Sequence, residues 1–305
     1  MEENQRRRSA FRQAAATLPL RIQQDVLTLP DEIQSQCEEL RLRAGRGISY
    51  VIAGQETRLP ITTVETTDLE ETLSRATRYS VHSFAESLQN GFVTLEGGHR
   101  LGLCGAAILR SERIDGIRNL SSINLRIACE RIGAAASLTP HLQKNGRALS
   151  MLILSPPAWG KTTLLRDCVR GLSSAGVRVG VADERCELSG SLGGAPQFDL
   201  GPTTDVISGG SKAEAALMLL KTMSPAVLAL DEITSPRDVE AVSYAAHCGT
   251  AVLATAHAYN AEDLTRRPLY RTLLEAGVFD NFTTIRLENN RRKYTMTTVG
   301  GKTIC

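Results

Sequence analysis

A chain of 305 residues with 42% apolar side chains is long enough for two cores of ordinary domain size, and none of its apolar runs approaches the length that spans a bilayer. Its 35 basic and 33 acidic residues nearly cancel and aromatics are only 4%, so composition supplies neither a global pull towards nucleic acid nor a stacking surface for single strands. The seven cysteines are scattered, odd in number and without a CxxC pair, which argues against a zinc site or a disulfide framework and for reduced thiols in a cytosol.

The opening MEENQRRRSAF is charged but leads into no hydrophobic region, so no secretory signal is expected. Residues 1–30 alternate basic groups with Phe11, Leu18, Leu20, Ile22, Val26 and Leu27, the pattern of an amphipathic helical start. Pro30-Asp31-Glu32 opens a helix reaching about residues 37–39, because proline suits the first turn and acids its positive end. Residues 40–43 alternate as a half-buried strand, Gly45-Arg46-Gly47 turns, and residues 48–53 return as a hairpin partner. Residues 67–80 carry acids early and arginines late, as a helix does. Strands follow at 91–95 and 100–109, joined by a turn at 96–99, and 122–128 alternates again. This half is expected to be an α+β domain over 1–135 with one antiparallel sheet, followed by a linker over 136–148 around Pro140 and Lys144-Asn145-Gly146.

From 149 onward short, nearly continuous apolar strands alternate with helices: 150–154, 177–182, 226–230 and 251–254. Strands of that kind are buried on both faces, so the second half is expected to be an α/β domain with a parallel sheet. Residues 283–299 read as a strand–turn–strand appendage.

The strongest chemical signal is the strand at 151–154 followed by SPPAWGKTT and the helix-like LLRDCVRGL. Strand, loop, Gly-Lys-Thr and helix is the context of a Walker A motif. The loop Ser155, Pro156, Pro157, Ala158, Trp159, Gly160, Lys161, Thr162 and Thr163 would line the phosphates, with N–H donors from Ala158 through Thr163. Lys161 would reach the terminal phosphates of ATP and Thr162 would hold Mg²⁺. The motif asks for glycine six residues before the lysine, where this chain has Ser155, so reduced freedom at a tight turn is expected.

Seventy residues on, the apolar strand at 226–230 ends in Asp231-Glu232, the Walker B form. Asp231 suits the Mg²⁺ shell, and Glu232 suits polarising the attacking water. Between them, the strand at 179–182 ends in Asp183 and Glu184; beside the phosphate-loop strand, it would place one of these acids near the γ-phosphate. The strand at 251–255 delivers His257 to the end of a parallel strand, where a ligand crevice lies and γ-phosphate could be sensed.

SPPAWGKTT, VADERCELSG, LALDEITSPRD and ATAHA, in this order, resemble the Walker A, Asp box, Walker B and His box of secretion-type ATPases, which serve type II secretion, type IV pili and conjugation. EELRLRAGRG, SFAESLQNGFVTLEGGHRLGLCGAA, INLRIA, DERCELSG and DEITSPRDVEA resemble more closely the stage III sporulation AA family of endospore-forming bacteria, over about residues 30–300. The resemblance implies a RecA-like P-loop core, ATP and Mg²⁺, and a homo-oligomer in the form of a hexameric ring in the mother-cell cytoplasm. It further implies a small membrane-associated channel partner and no nucleic acid. By the same resemblance Glu232 and Glu184 are the acids of the site and His257 its His-box residue, with an N-terminal-domain arginine completing it. Arg126 is the candidate carried forward, beside Arg41, Arg43, Arg46 and Arg100. Relatives usually have glycine where Ser155 and Ala158 stand, so slow turnover is expected, or a structural ring that binds nucleotide without hydrolysing it. A nucleic-acid-dependent RecA-like ATPase is the other competing reading, disfavoured by the few aromatics.

Overall fold

The alternating start of the chain folds as two helices, α1 (Glu2–Ala15) and α2 (Leu20–Leu27), because Pro19 takes an extended conformation that cannot continue the first. The computed structural model describes residues 2–78, 91–110, 113–157, 159–288 and 291–305, in two units that divide after Cys129. The first unit continues with α3 (Asp31–Gln36), β1 (Glu39–Arg43), β2 (Gly47–Ile52), β3 (Gln55–Thr63), α4 (Thr66–Ala76), β4 (Phe92–Thr94), β5 (Arg100–Arg110) and β6 (Arg113–Arg126). Helix α4 ends before the expected stop at 80, and residues 79 and 80 lie outside the described residues.

The first sheet has the order β3-β2-β1-β6-β5-β4 with antiparallel pairings throughout. Register places Leu40 opposite Leu125 and Leu42 opposite Ile123, so one face is apolar. It buries against Phe11, Ile22, Val26 and Leu69 from the helices and Leu18 from the turn between α1 and α2. On alternate positions Arg41 and Arg43 face the other way. There Arg41 meets Glu39 at 2.7 Å, and Arg43 forks onto Glu56, whose carboxyl is held down to about 2 by that guanidinium and by Ser49.

In the second unit the segment expected to link domains carries a 3₁₀ turn (Thr139–His141) and a short hairpin, β7 (Gln143–Lys144) with β8 (Arg147–Ala148). Leu138 and Leu142 of that segment are fully buried in this unit's core. The chain then runs β9 (Met151–Ser155), α5 (Lys161–Ser174), β10 (Val179–Asp183), β11 (Thr204–Ser208), α6 (Lys212–Thr222), β12 (Val227–Leu230), α7 (Pro236–His247), β13 (Ala251–His257), α8 (Ala261–Thr265), α9 (Pro268–Glu275), β14 (Asn281–Glu288) and β15 (Arg291–Thr298).

The sheet order is β11-β10-β12-β13-β9-β14-β15, parallel except for the last pair. Alternate strand residues serve opposite layers. Met151 and Ile153 pack with Leu164, Cys168 and Leu172 of α5, while Leu152 and Leu154 pack with the helices α6, α7 and α9. Two expectations are corrected. Strand β10 is not beside β9, because β12 and β13 stand between them. The tail is no appendage: β14 extends the main sheet beside β9, and its alternating Phe282 and Ile285 are buried on opposite layers.

Candidate functional site

The parallel strands β9, β10, β12 and β13 end on one edge of the sheet, which is where open α/β sheets bind ligands. Register sets Ser155 at the end of β9 opposite His257 at the end of β13. From Ser155 the chain passes through Pro156, Pro157 and Trp159 to Gly160, which has φ +93 and opens α5. Ala158 lies outside the described residues. The left-handed conformation favours glycine at 160, and an added Cβ would stand 3.0 Å from Nε of Arg292, which would have to give way. Ser155 does not take a left-handed conformation, so the serine expected to restrict a turn sits there without backbone strain.

Lys161, the first residue of α5, is buried. Its Nζ donates to the carbonyls of Ser155 and Pro156, both at 3.0 Å, and lies 2.8 Å from Nδ1 of His257. An ammonium only donates, so Nδ1 accepts and the imidazole proton sits on Nε2. Nε2 then donates to Oε1 of Glu232 at 3.2 Å. Burial pulls the Lys161 ammonium down from its usual range, and Asp231 and Glu232 pull it back.

Thr162 Oγ1 donates to Oδ2 of Asp231 at 2.7 Å, joining two motifs 69 residues apart. The other carboxylate oxygen, Oδ1, accepts from Thr255 Oγ1 at 2.6 Å. The same Thr255 hydroxyl accepts the Glu232 N–H at 3.0 Å. Glu232 has φ +41, a conformation that costs a residue other than glycine about 1–3 kcal/mol. Thr163 follows Thr162 on the helix, half-buried.

At the end of β10 the two acids diverge. Asp183 is buried and accepts from the N–H groups of Glu187, Leu188 and Ser189 and from the Ser189 hydroxyl, so it organises its own loop. Glu184 is exposed, accepts the Lys212 N–H at 3.3 Å, and lines a cleft with Lys212, Asp231, Glu232 and Thr234. Arg126 belongs to the first unit, where it reaches Glu39 at 3.5 Å. Arg100 stacks over Phe92 in that unit.

The residues can hold a magnesium nucleotide. A hydroxyl and a carboxylate already in contact, Thr162 and Asp231, are the hard oxygen donors Mg²⁺ prefers. A helix opened by a left-handed glycine directs its first N–H groups outward, as phosphate binding requires. Three participants escaped the sequence reading: Thr255, Lys212 and Arg292, whose Nε donates to the Trp159 carbonyl at 2.8 Å. Lys212 and Arg292 lie outside the motifs, and Thr255 lies inside ATAHA, where only His257 carries a chemical signal. The partnership appears only when β13, α6 and β15 come together.

The fold is RecA-like, and solved ATPases share it. The ATPase DotB of Yersinia pseudotuberculosis superposes with a TM-score of 0.64 at 13% identity, over 93% of this chain and 81% of that one. The Legionella pneumophila DotB gives 0.60 at 13% identity, over 90% and 81%. At these identities the likeness is one of fold. Stage III sporulation protein AA of Bacillus subtilis is 38% identical over 92% of this chain and 91% of that protein. The family profile described as "Sporulation stage III, protein AA" matches residues 6–299. With so nearly the whole length accounted for, the chain belongs to the family of sporulation stage III protein AA.

Proposed function

We propose that this chain is a Mg²⁺-dependent ATPase that works as a homo-oligomeric ring, hexameric in its secretion-type relatives, to energise a membrane-associated channel complex during endospore formation. The observation that carries the reading is the 2.7 Å contact between Thr162 and Asp231, which unites the phosphate-loop helix with the acidic end of β12. Thr162 and Asp231 would hold Mg²⁺, and the metal, when bound, supplies charge neutralisation at the phosphate oxygens. Lys161 leaves its carbonyl partners to meet the terminal phosphates, while the N–H groups from Trp159 to Thr163 orient them. Glu232 accepts a proton from the attacking water and aligns it; His257, bonded to both Lys161 and Glu232, ties the position of the base to that of the ammonium. Glu184 is a further acid of the cleft. Arg126 is a candidate to complete the site, as an arginine from another domain or subunit does in related motors.

A cytoplasmic site of action, with a small membrane-associated partner, follows from the family resemblance. Among the described residues no helix is long and apolar enough to cross a membrane. The test is Mg²⁺-dependent ATP hydrolysis by the full chain over a concentration series, beside Lys161→Ala and Glu232→Gln. Specific activity that rises with assembly and disappears in both variants is the expected result. Binding without hydrolysis would assign the structural ring instead.

A further inference from the structure

Glu232 stands in a left-handed conformation that glycine would take at no cost, yet glycine would bring no carboxylate. The two peptide groups flanking its Cα are each held by a buried side chain. On one side its N–H donates to Thr255 Oγ1 at 3.0 Å, and the proton of that hydroxyl goes to Asp231. On the other its carbonyl accepts from Lys212 Nζ at 2.6 Å.

Lys212 is only 8% exposed, and such a charge persists in an interior only where it is paired and hydrogen-bonded. Its ammonium also donates to Thr234 Oγ1 at 3.1 Å and faces Asp238 Oδ2 at 3.5 Å. Asp238 is buried as well, and the same oxygen accepts the N–H groups of Thr234 and Ser235 at 2.9 Å, capping α7. Lys212 therefore fixes the Glu232 carbonyl against the start of α7, while Thr255 fixes the Glu232 N–H against β13. Between those anchors the side chain reaches Nε2 of His257.

We propose that Lys212 and Thr255 are positioning residues that clamp the Glu232 backbone in its left-handed form and thereby aim the carboxylate at the reacting water. The inference rests on the reading of Glu232 as the water-aligning acid. Lys212 acts on Glu232 through the peptide carbonyl. A lysine that merely tied α6 to α7 would affect stability alone, so the test reads kinetics and the Glu232 backbone separately.

The experiment compares the full-length chain with Lys212→Met, Thr255→Val and Thr255→Ser. Steady-state ATP hydrolysis is measured together with amide hydrogen exchange resolved at residue 232. In Lys212→Met and Thr255→Val, kcat is expected to fall by about 10- to 100-fold, the loss of one charge-assisted or buried hydrogen bond, with KM within about twofold. Exchange of the Glu232 amide is expected to rise by about tenfold or more while the amides of α5 keep their protection. Thr255→Ser, which keeps the hydroxyl, is expected to restore both readouts.

Unchanged kcat with unchanged exchange at 232 overturns the proposal. Faster exchange with kcat intact overturns the positioning role, and a loss of protection shared by α5 reduces Lys212 to a structural residue. If the parent and Glu232→Gln hydrolyse ATP equally well, the reading of Glu232 has failed. The clamp itself is then decided by exchange alone, and protection retained in Lys212→Met overturns it.

Discussion

His99 gives the first unit a pH-dependent stability whose size follows from its surroundings. The ring is 1% exposed, its Nδ1 accepts the Ala128 N–H at 3.0 Å, and its Nε2 is buried with no hydrogen-bond partner among the described residues. A second proton would have to enter at Nδ1, facing an N–H, in a site that water does not reach. Burial accordingly pushes the imidazole from 6.5 down to about 4. In the window between those values the unfolded chain binds a proton that the folded one refuses, so stability rises with pH. The contribution is complete above about 6.5 and is lost as pH falls towards 4. A displacement of that size corresponds to about 3 kcal/mol, a large share of a domain's net stability. The measurement is urea unfolding of the full chain at pH 7.5, 6.5, 5.5 and 4.5, followed by amide exchange over β5 and β6. His99→Gln, which keeps an acceptor but cannot charge, serves as the comparison. The parent should lose roughly 2–3 kcal/mol more than the variant between pH 7 and 4.5. Parallel curves would refute the buried neutral imidazole.

Other consequences concern the candidate site. Ser155→Gly relieves no strain, so it should lower stability by about 0.5–1 kcal/mol, seen in urea unfolding, and leave ATP turnover no faster; a marked acceleration would contradict the assignment of Ser155 as an ordinary strand end. Arg292→Ala removes the donor to the Trp159 carbonyl. Because the carbonyl and N–H of one peptide plane point in opposite directions, the Gly160 N–H loses its aim, and nucleotide affinity measured by calorimetry should fall about tenfold. Thr162→Val keeps the shape and removes the hydroxyl that meets Asp231, so Mg²⁺ should cease to tighten nucleotide binding while metal-free binding persists.

The sequence made the second unit's strands legible because β9, β10 and β12 are buried on both faces and read as unbroken apolar runs. Strands β3 and β11 escaped notice for the opposite reason: QETRLPITT and TDVIS hold too few apolar residues to carry a period. Lys161, Thr162, Asp231, Glu232 and His257 were found because strand-end chemistry is local, and they do converge. Strand order is a different matter. Nothing near β10 or β14 in the sequence says that β12 and β13 separate β10 from β9, or that a late hairpin extends the sheet beside β9. The same limit hid Lys212, a lysine after Gly-Gly-Ser whose partners lie 20 and more residues away, and Thr255, whose place inside ATAHA does not reveal that it holds Asp231 and the Glu232 N–H. At the Asp183-Glu184 pair the sequence left the choice open. Asp183 spends its carboxylate on its own loop, while Glu184 stands exposed at the cleft.

The most direct test of the central claim is equilibrium binding of ATP with Mg²⁺ to the full chain, measured by calorimetry beside Lys161→Ala. The account predicts saturable binding in the parent and a loss of about 100-fold or more in the variant, since a charge-assisted phosphate contact disappears. Absence of binding by the parent at millimolar ATP, or equal affinity in the two proteins, would contradict the assignment of the Gly160–Thr163 turn as a phosphate site.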